Sequence, residues 1–332
     1  MNRGILRWLA CPRCGSALEL RTGETDEEEV LHGELGCSCG SRFPVRDGVP
    51  RLFAEAAAGG VDGDRRSRRS FGYQWRRYQS GDRTWFKDDA GLRRGELLQT
   101  MDARPGELAG LALLDAGCGN GELTRAAAEE CGEVVGLDFS DSVVAARRRL
   151  LDASPELAPR VHHLQGDVRR PPLRERDFDL VHCSGVLHHT PSTAESFRAL
   201  ARAVKPGGRL YVQLYRRRPA WIHWINVALR AVTTRLPLPL LYALCYAASP
   251  LHAAASRAMH RLRGEAPPPR ATARERAVQM FDNYSPRYQH RHTVPEILRL
   301  FAEAGFVDAR EVTLANERRH MLAVLGWRPP RR

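Results

Sequence analysis

From Leu111 onward the chain alternates short apolar runs with amphipathic ones. That pattern admits few folds besides a parallel sheet with helices on both faces. The expected elements are strand 111–115, helix 121–131, strand 133–138, helix 140–152, strands 161–165 and 178–183, helix 193–204 and strand 209–215. After an inserted segment come helix 294–304 and strands 306–314 and 319–326. Ser140 is placed to cap its helix, Thr293 and Glu296 form a capping box with Pro295 in the first turn, and Gly305 supplies a left-handed stop. A short turn at Ala315–Glu317 makes the last two strands a hairpin, so the final strand enters antiparallel.

The first strand runs into Asp115, Gly117, Gly119 and Gly121, a turn that needs glycine because the backbone bends sharply and must let a ligand approach closely. The second strand ends on Asp138, an acid placed to accept from both hydroxyls of a ribose. A dinucleotide site would set a third small residue where Glu122 stands and would seat pyrophosphate on the helix N-terminus. Acids before and after the turn repel phosphate and suit a cationic ligand. S-adenosylmethionine carries a sulfonium and an ammonium, and no phosphate.

This segment resembles motif I of the class I S-adenosylmethionine-dependent methyltransferases. Further matches follow in order: Gly166-Asp167-Val168 after the third strand, the fourth-strand stretch from Phe178 to His189, the helix–turn–strand through Lys205, Pro206, Gly207 and Gly208, and the terminal hairpin. The resemblance implies a doubly wound, mostly parallel seven-stranded α/β sheet of Rossmann-like type. It also implies cofactor contacts at Asp115, Gly117, Gly119, Asn120, Asp138, Phe139, Asp167 and Val168, with Asp167 accepting from the adenine amine. His188 and His189 follow the fourth strand, where a parallel sheet presents its ligands, and either is a candidate base; shaping the cofactor pocket is the other reading. Phe281 to His290 resembles a stretch near the acceptor pocket of bacterial methyltransferases of this kind, which implies acceptor contacts at Tyr284 and His290. Phe71, Tyr73 and Trp75 look like the family's cap over the cofactor, and core packing accounts for them equally well.

Cys11 and Cys14, then Cys37 and Cys39, make two close thiolate pairs that can close a tetrahedral Zn²⁺ site, a source of folding energy for so short a segment. The surrounding residues resemble the zinc-ribbon module found as a methyltransferase activator subunit and as an N-terminal extension of some methyltransferases. The second pair departs from that pattern, having one residue between its cysteines instead of two. Cys118, Cys131, Cys183 and Cys245 fall in expected strands, helices or tight turns, and Met1–Ala10 holds no long apolar run, so a reducing cytoplasm is expected and a signal peptide is not.

The expected domains are 1–55, a zinc-ribbon-like module; 56–105, a linker and helical cap; 106–215, the cofactor half of the methyltransferase core; 216–293, a basic helical insertion or substrate lid; and 294–328, the C-terminal helix and hairpin. Of the net charge of +12, the insertion alone carries +10. It also holds 21 uncharged residues, 236–256, interrupted by Pro237, Pro239 and Pro250, which are expected to break a membrane span. A basic, aromatic segment suits a lid or peripheral contact with an anionic membrane. The expected function is S-adenosylmethionine-dependent O- or C-methylation of a small-molecule, lipid or glycan acceptor. An RNA methyltransferase binding phosphates through the insertion and a non-catalytic cofactor-binding or scaffold protein are the alternatives. His182, Cys183, Ser184 and Gly185 stand where a base N-methylating enzyme would carry Asn-Pro-Pro-Tyr, which weighs against RNA.

Overall fold

A computed structural model of the chain describes residues 1–26, 29–53, 62–77, 90–264, 266, 271–313 and 320–331. The expected turn at 315–317 and residues 56–61 and 78–89 of the expected linker and cap lie outside them. The chain forms two compact units, the first being Met1–Val61 with Asp89–Arg217 and Tyr288–Arg332, the second Asp62–Asp88 with Arg218–Arg287.

The first unit is built on one sheet. Its strands are β1 (Leu18–Asp26), β2 (Glu29–Cys37), β3 (Arg42–Arg46), β4 (Val49–Leu52), β5 (Ala112–Ala116), β6 (Glu133–Asp138), β7 (Val161–Gly166), β8 (Phe178–Ser184), β9 (Val204–Tyr215), β10 (Val307–Glu311) and β11 (Met321–Trp327). They lie in the order β1-β2-β3-β4-β7-β6-β5-β8-β9-β11-β10. Strands β7, β6, β5, β8 and β9 run parallel, and β11 enters antiparallel between β9 and β10. Every residue of β5 and β7 is buried, as expected of strands covered on both faces. The strand order reverses at β5, which pairs β6 on one side and β8 on the other, so their carboxyl ends open a crevice.

The amino-terminal strands extend this sheet. Arg51 and Leu52 of β4 pair in parallel with Gln165 and Gly166 of β7. Trp8 stacks on Phe178 at 4.8 Å and donates its indole N–H to Glu133. No local sequence signal announces a pairing between residues more than a hundred positions apart.

Helices α2 (Ala90–Thr100), α3 (Glu122–Glu130), α4 (Ser142–Ala153), α5 (Thr193–Ala203) and α9 (Val294–Glu303) complete this unit; α1 belongs to the other. Leu97, Met101 and Leu108 pack with Tyr211 in one core, while Phe197 meets Phe301 edge-on at 4.9 Å in the other. Glu296 accepts from the Thr293 amide and Gly305 takes φ +78°, as the capping signals predict. Ser140 differs from expectation. The N-cap is Asp141, and the Ser140 hydroxyl serves the Asp138 carboxylate.

The second unit contains α1 (Asp62–Trp75), α6 (Ala220–Thr233), α7 (Leu238–Leu262) and α8 (Ala273–Tyr284). Tyr73, Leu241, Cys245, Ala277 and Phe281 form its core, which is where Tyr73 spends its ring. The prolines do not interrupt α7, contrary to expectation. Pro237 is the N-cap and Pro239 sits in the first turn, where amides are unused, and the helix runs through Pro250. Length and composition make α7 the one helix among the described residues able to cross a membrane.

Candidate active site

The turn between β5 and α3 is held open by its glycines. Gly117, Gly119 and Gly121 all have positive φ, and a Cβ on Gly117 would meet Val186 Cγ2 at 2.1 Å. The Leu137 carbonyl accepts from the amides of Gly117 and Cys118, which ties the turn to β6.

Asp138 lies at the end of β6 with three donors on it. Oδ2 accepts from the Gly119 amide at 2.9 Å, and Oδ1 accepts from the Ser140 amide and hydroxyl, each at 2.7 Å. Burial pushes its pKa up against those hydrogen bonds. Asp115, at the end of β5, is also buried, accepts from Thr124 Oγ1 at 2.6 Å, and is pushed up to about 6, mainly by desolvation. Two buried acids therefore flank the turn. Glu122 contributes less than its position in the sequence suggests, because Arg149 and Arg125 lie 3.1 and 3.3 Å from its carboxylate. Asn120 is buried, and its Nδ2 finds no acceptor among the described residues. A ligand offering an acceptor there would satisfy it.

Phe139 packs edge-on against Phe53 at 5.7 Å, and Val168 is buried in the core. Asp167 carries a partner that sequence reasoning missed. The Arg169 guanidinium grips it at 2.5–3.0 Å while the Arg169 amide donates to Oδ1 at 2.9 Å. An adenine amine would share that carboxylate with Arg169.

Beyond β8 the chain makes a single helical turn, Leu187–His189. His188 is fully buried, its ring lies 3.9 Å from that of Tyr215, and neither ring nitrogen has a partner among the described residues. Burial drives its pKa well below the usual histidine value. His189 is set differently. Its Nδ1 lies 2.9 Å from the Tyr288 carbonyl, an acceptor, so Nδ1 carries the proton and Nε2 the lone pair of the neutral ring.

His290 comes to the same place. Its amide donates to the His188 carbonyl at 2.8 Å, and its Nε2 lies 3.0 Å from the Thr190 carbonyl. His292 follows, with Nε2 at 3.0 Å from Thr193 Oγ1 and its amide donating to the Tyr215 carbonyl. Residues 288–292 thus strap the ends of β8 and β9. The structure brings together three predicted residues, His188, His189 and His290, and adds Tyr215 and His292, which no local motif marked. Tyr284 lies in the second unit, where its carbonyl accepts from Thr233 Oγ1.

At the far end of the same sheet the four cysteines converge, their Sγ atoms all within 4.8 Å of one another. Cys14 and Cys37 are 3.5 Å apart, Cys11 and Cys39 3.8 Å. A tetrahedron of Zn–S bonds of about 2.3 Å spaces its sulfurs by about 3.8 Å, so the quartet fits that ion. The single-residue spacing of the second pair is absorbed by Gly40, at φ +84°, whose amide closes back onto the Cys37 carbonyl.

Residues 114–210, which hold the glycine turn, both acids, and the histidines after β8, match the family described as Methyltransferase domain. That stretch of the chain carries a methyltransferase domain. The ubiquinone biosynthesis O-methyltransferase of Sodalis glossinidius is 36% identical to it over 121 residues, which is 36% of this chain and 47% of that protein. The protein of that name from Xanthomonas oryzae pv. oryzae (strain PXO99A) is 32% identical over 132 residues, covering 40% of this chain and 54% of its own length. The chain spans about half the length of these curated relatives. The solved magnesium protoporphyrin IX methyltransferase of Synechocystis PCC 6803, with bound SAH, is similar with a TM-score of 0.45 and 17% identity, over 79% of this chain and 97% of that one.

Proposed function

We propose that this methyltransferase domain moves a methyl group from S-adenosylmethionine to oxygen or carbon of a small-molecule, lipid or glycan acceptor. The observation that carries the reading is the buried acid pair, Asp115 and Asp138, flanking a glycine turn that no side chain can fill. Two carboxylates in a site of low dielectric favour a cation and disfavour a nicotinamide dinucleotide's pyrophosphate. Asp138 would hold the ribose, Asp115 would complement the positive charge, and Asn120 Nδ2 would donate to the ligand. S-adenosylmethionine, when bound, supplies a methyl group made electrophilic by its sulfonium.

The chain's own part is to position the acceptor and to take its proton. His189, with its Nε2 lone pair set by the Tyr288 carbonyl, is the candidate base for a hydroxyl acceptor. His188 is the poorer candidate, since its burial suits a wall of the pocket. His290 is the acceptor contact that stands beside both. Tyr284 is the second acceptor contact, proposed from the sequence resemblance alone. The cysteine quartet would hold a structural Zn²⁺, with four thiolates leaving no open coordination position. A cytoplasmic location with peripheral membrane contact through 216–293 completes the reading.

The experiment is calorimetry with S-adenosylmethionine and with NAD, followed by incubation with methyl-labelled cofactor and separated lipid, glycan, small-molecule and RNA fractions. Binding of S-adenosylmethionine that Asp138→Ala weakens by about a hundredfold or more, with label entering a non-RNA fraction, supports it. Tight NAD binding, or label in RNA alone, overturns it.

A further inference from the structure

The α6 helix is folded inside out. Its buried residues are Asn226 and Arg230, and the Arg230 guanidinium donates at 2.6 Å to the carbonyls of Asn283 and Pro286. The opposite side presents Trp221, Trp224, Ile225, Leu229 and Val232 to solvent, with the two tryptophans 65% and 66% exposed. A soluble helix normally turns its apolar stripe to the core.

The α7 helix buries one apolar line and exposes a second. Leu241, Cys245, Ser249 and Ala253, four residues apart, are buried along one line. Leu240, Leu244, Leu251 and Leu262 form an exposed line along another, Leu251 at 76%. Spacings of 4, 7 and 11 residues keep them on one side of a helix. Exposed stripes of this extent mark an interaction surface.

Charge says what covers it. Residues 220–264 contain no aspartate or glutamate. Arg235 stands exposed before α7, and Arg257, Arg261 and Arg263 stand exposed at its carboxyl end. A second copy of the chain, docked on this surface, would bring like charges together, whereas an anionic bilayer neutralises them. Apolar stripes enter the acyl boundary while arginines reach phosphates.

We infer that α6 and α7 seat on an anionic phospholipid surface, with Trp221, Trp224 and the Leu240–Leu244–Leu251 line below the phosphate level and Arg235, Arg257, Arg261 and Arg263 at it. The inference deepens the peripheral-contact reading above, and its test reads partitioning, so it fails or holds independently of methyl transfer.

The full chain is sedimented with phosphatidylcholine vesicles containing phosphatidylglycerol and with phosphatidylcholine alone. The expected result is binding to the anionic vesicles only, reversed by carbonate wash. Binding should fall about fivefold for each of Arg257, Arg261 and Arg263 changed to Gln, on the order of a hundredfold for all three. Trp221→Ala with Trp224→Ala should abolish binding and leave S-adenosylmethionine affinity and circular dichroism unchanged, since both side chains are exposed. Failure of the folded chain to sediment with anionic vesicles overturns the inference, as does equal binding to neutral ones. Resistance to carbonate would mean that α7 spans the bilayer. A soluble dimer abolished by the tryptophan pair would mean that a second copy covers the surface. Either result overturns it too.

Discussion

The His290 amide donates to the His188 carbonyl at 2.8 Å, which fixes the segment after α8 against the turn that follows β8. The same strap delivers the Tyr288 carbonyl to His189 Nδ1 at 2.9 Å and the His292 amide to the Tyr215 carbonyl. The Tyr288 carbonyl, 99 positions away in sequence, orients a ring that could otherwise turn.

That orientation makes His189 testable as a base. His189→Gln keeps a donor for the Tyr288 carbonyl and removes the basic lone pair. With a hydroxyl acceptor, kcat should fall by roughly 10²- to 10³-fold while S-adenosylmethionine affinity stays constant. An unchanged kcat would assign His189 to shaping the pocket.

Gly117 carries the close approach of the turn. Gly117→Ala puts a methyl group 2.1 Å from Val186 Cγ2 on a backbone at φ +85°. The left-handed conformation alone costs about 1–2 kcal/mol for alanine, and the overlap adds to it. S-adenosylmethionine binding should be lost and the melting temperature lowered. Adding Val186→Ala removes the overlap but not the strain, so it should restore stability in part. Full restoration would show that φ is unimportant here, and none would show that the overlap is not the cause.

The turn was legible because its chemistry is local: glycines, a flanking acid and a second acid about 20 residues on can be read from composition and spacing. The caps at Thr293 and Gly305 were legible for the same reason. Arg169 on Asp167 was not, since a two-residue spacing in an irregular turn does not say where the side chain goes. Nor were β4 beside β7 and the Tyr215–His292 grouping, since each joins backbone far apart in sequence. Ser140 misled because a serine before a helix can serve either the helix amides or a nearby carboxylate, and the buried Asp138 outbids them. Pro250 misled because a packed helix tolerates one missing amide. The inverted α6 leaves the hydrophobic periodicity of an ordinary amphipathic helix, and periodicity does not say which side faces the core.

Acid should destabilise the folded chain. Burial lowers the pKa of His163 to about 3 and of His182 to about 4 and puts His188 well below its ordinary 6.5. As pH falls through 6.5 the unfolded chain takes protons that the native chain refuses, so the stability these groups provide above 6.5 is lost below it. Asp115 acts oppositely. Raised from 3.8 to about 6, it holds a proton in the native state between those values and stabilises it on acidification. His162, lowered, and Asp138, raised, add one group to each side. The histidines prevail, and each net proton steepens the loss by about 1.4 kcal/mol per pH unit. Urea midpoints should fall from pH 6.5 toward about 4, and His182→Gln should flatten that fall. Midpoints that hold level or rise with acid would contradict the assignment of these histidines as buried and neutral.

The cysteine quartet makes the last prediction. With Sγ atoms within 4.8 Å of one another, the chain as purified should contain one zinc ion, and Cys14→Ser should lower the content and the affinity by orders of magnitude. Strands β1 to β4 extend the same sheet as the cofactor crevice, and β4 pairs with β7 immediately before Asp167. Stripping the metal with a chelator should therefore loosen more than the quartet. Hydrogen exchange should quicken across β1–β4 and at the β4–β7 pairing while the β8–β9 pairing holds, because that pairing lies on the other side of β5. Uniform loss of protection would make the zinc a condition of the whole fold, and no change would leave the quartet packed without metal.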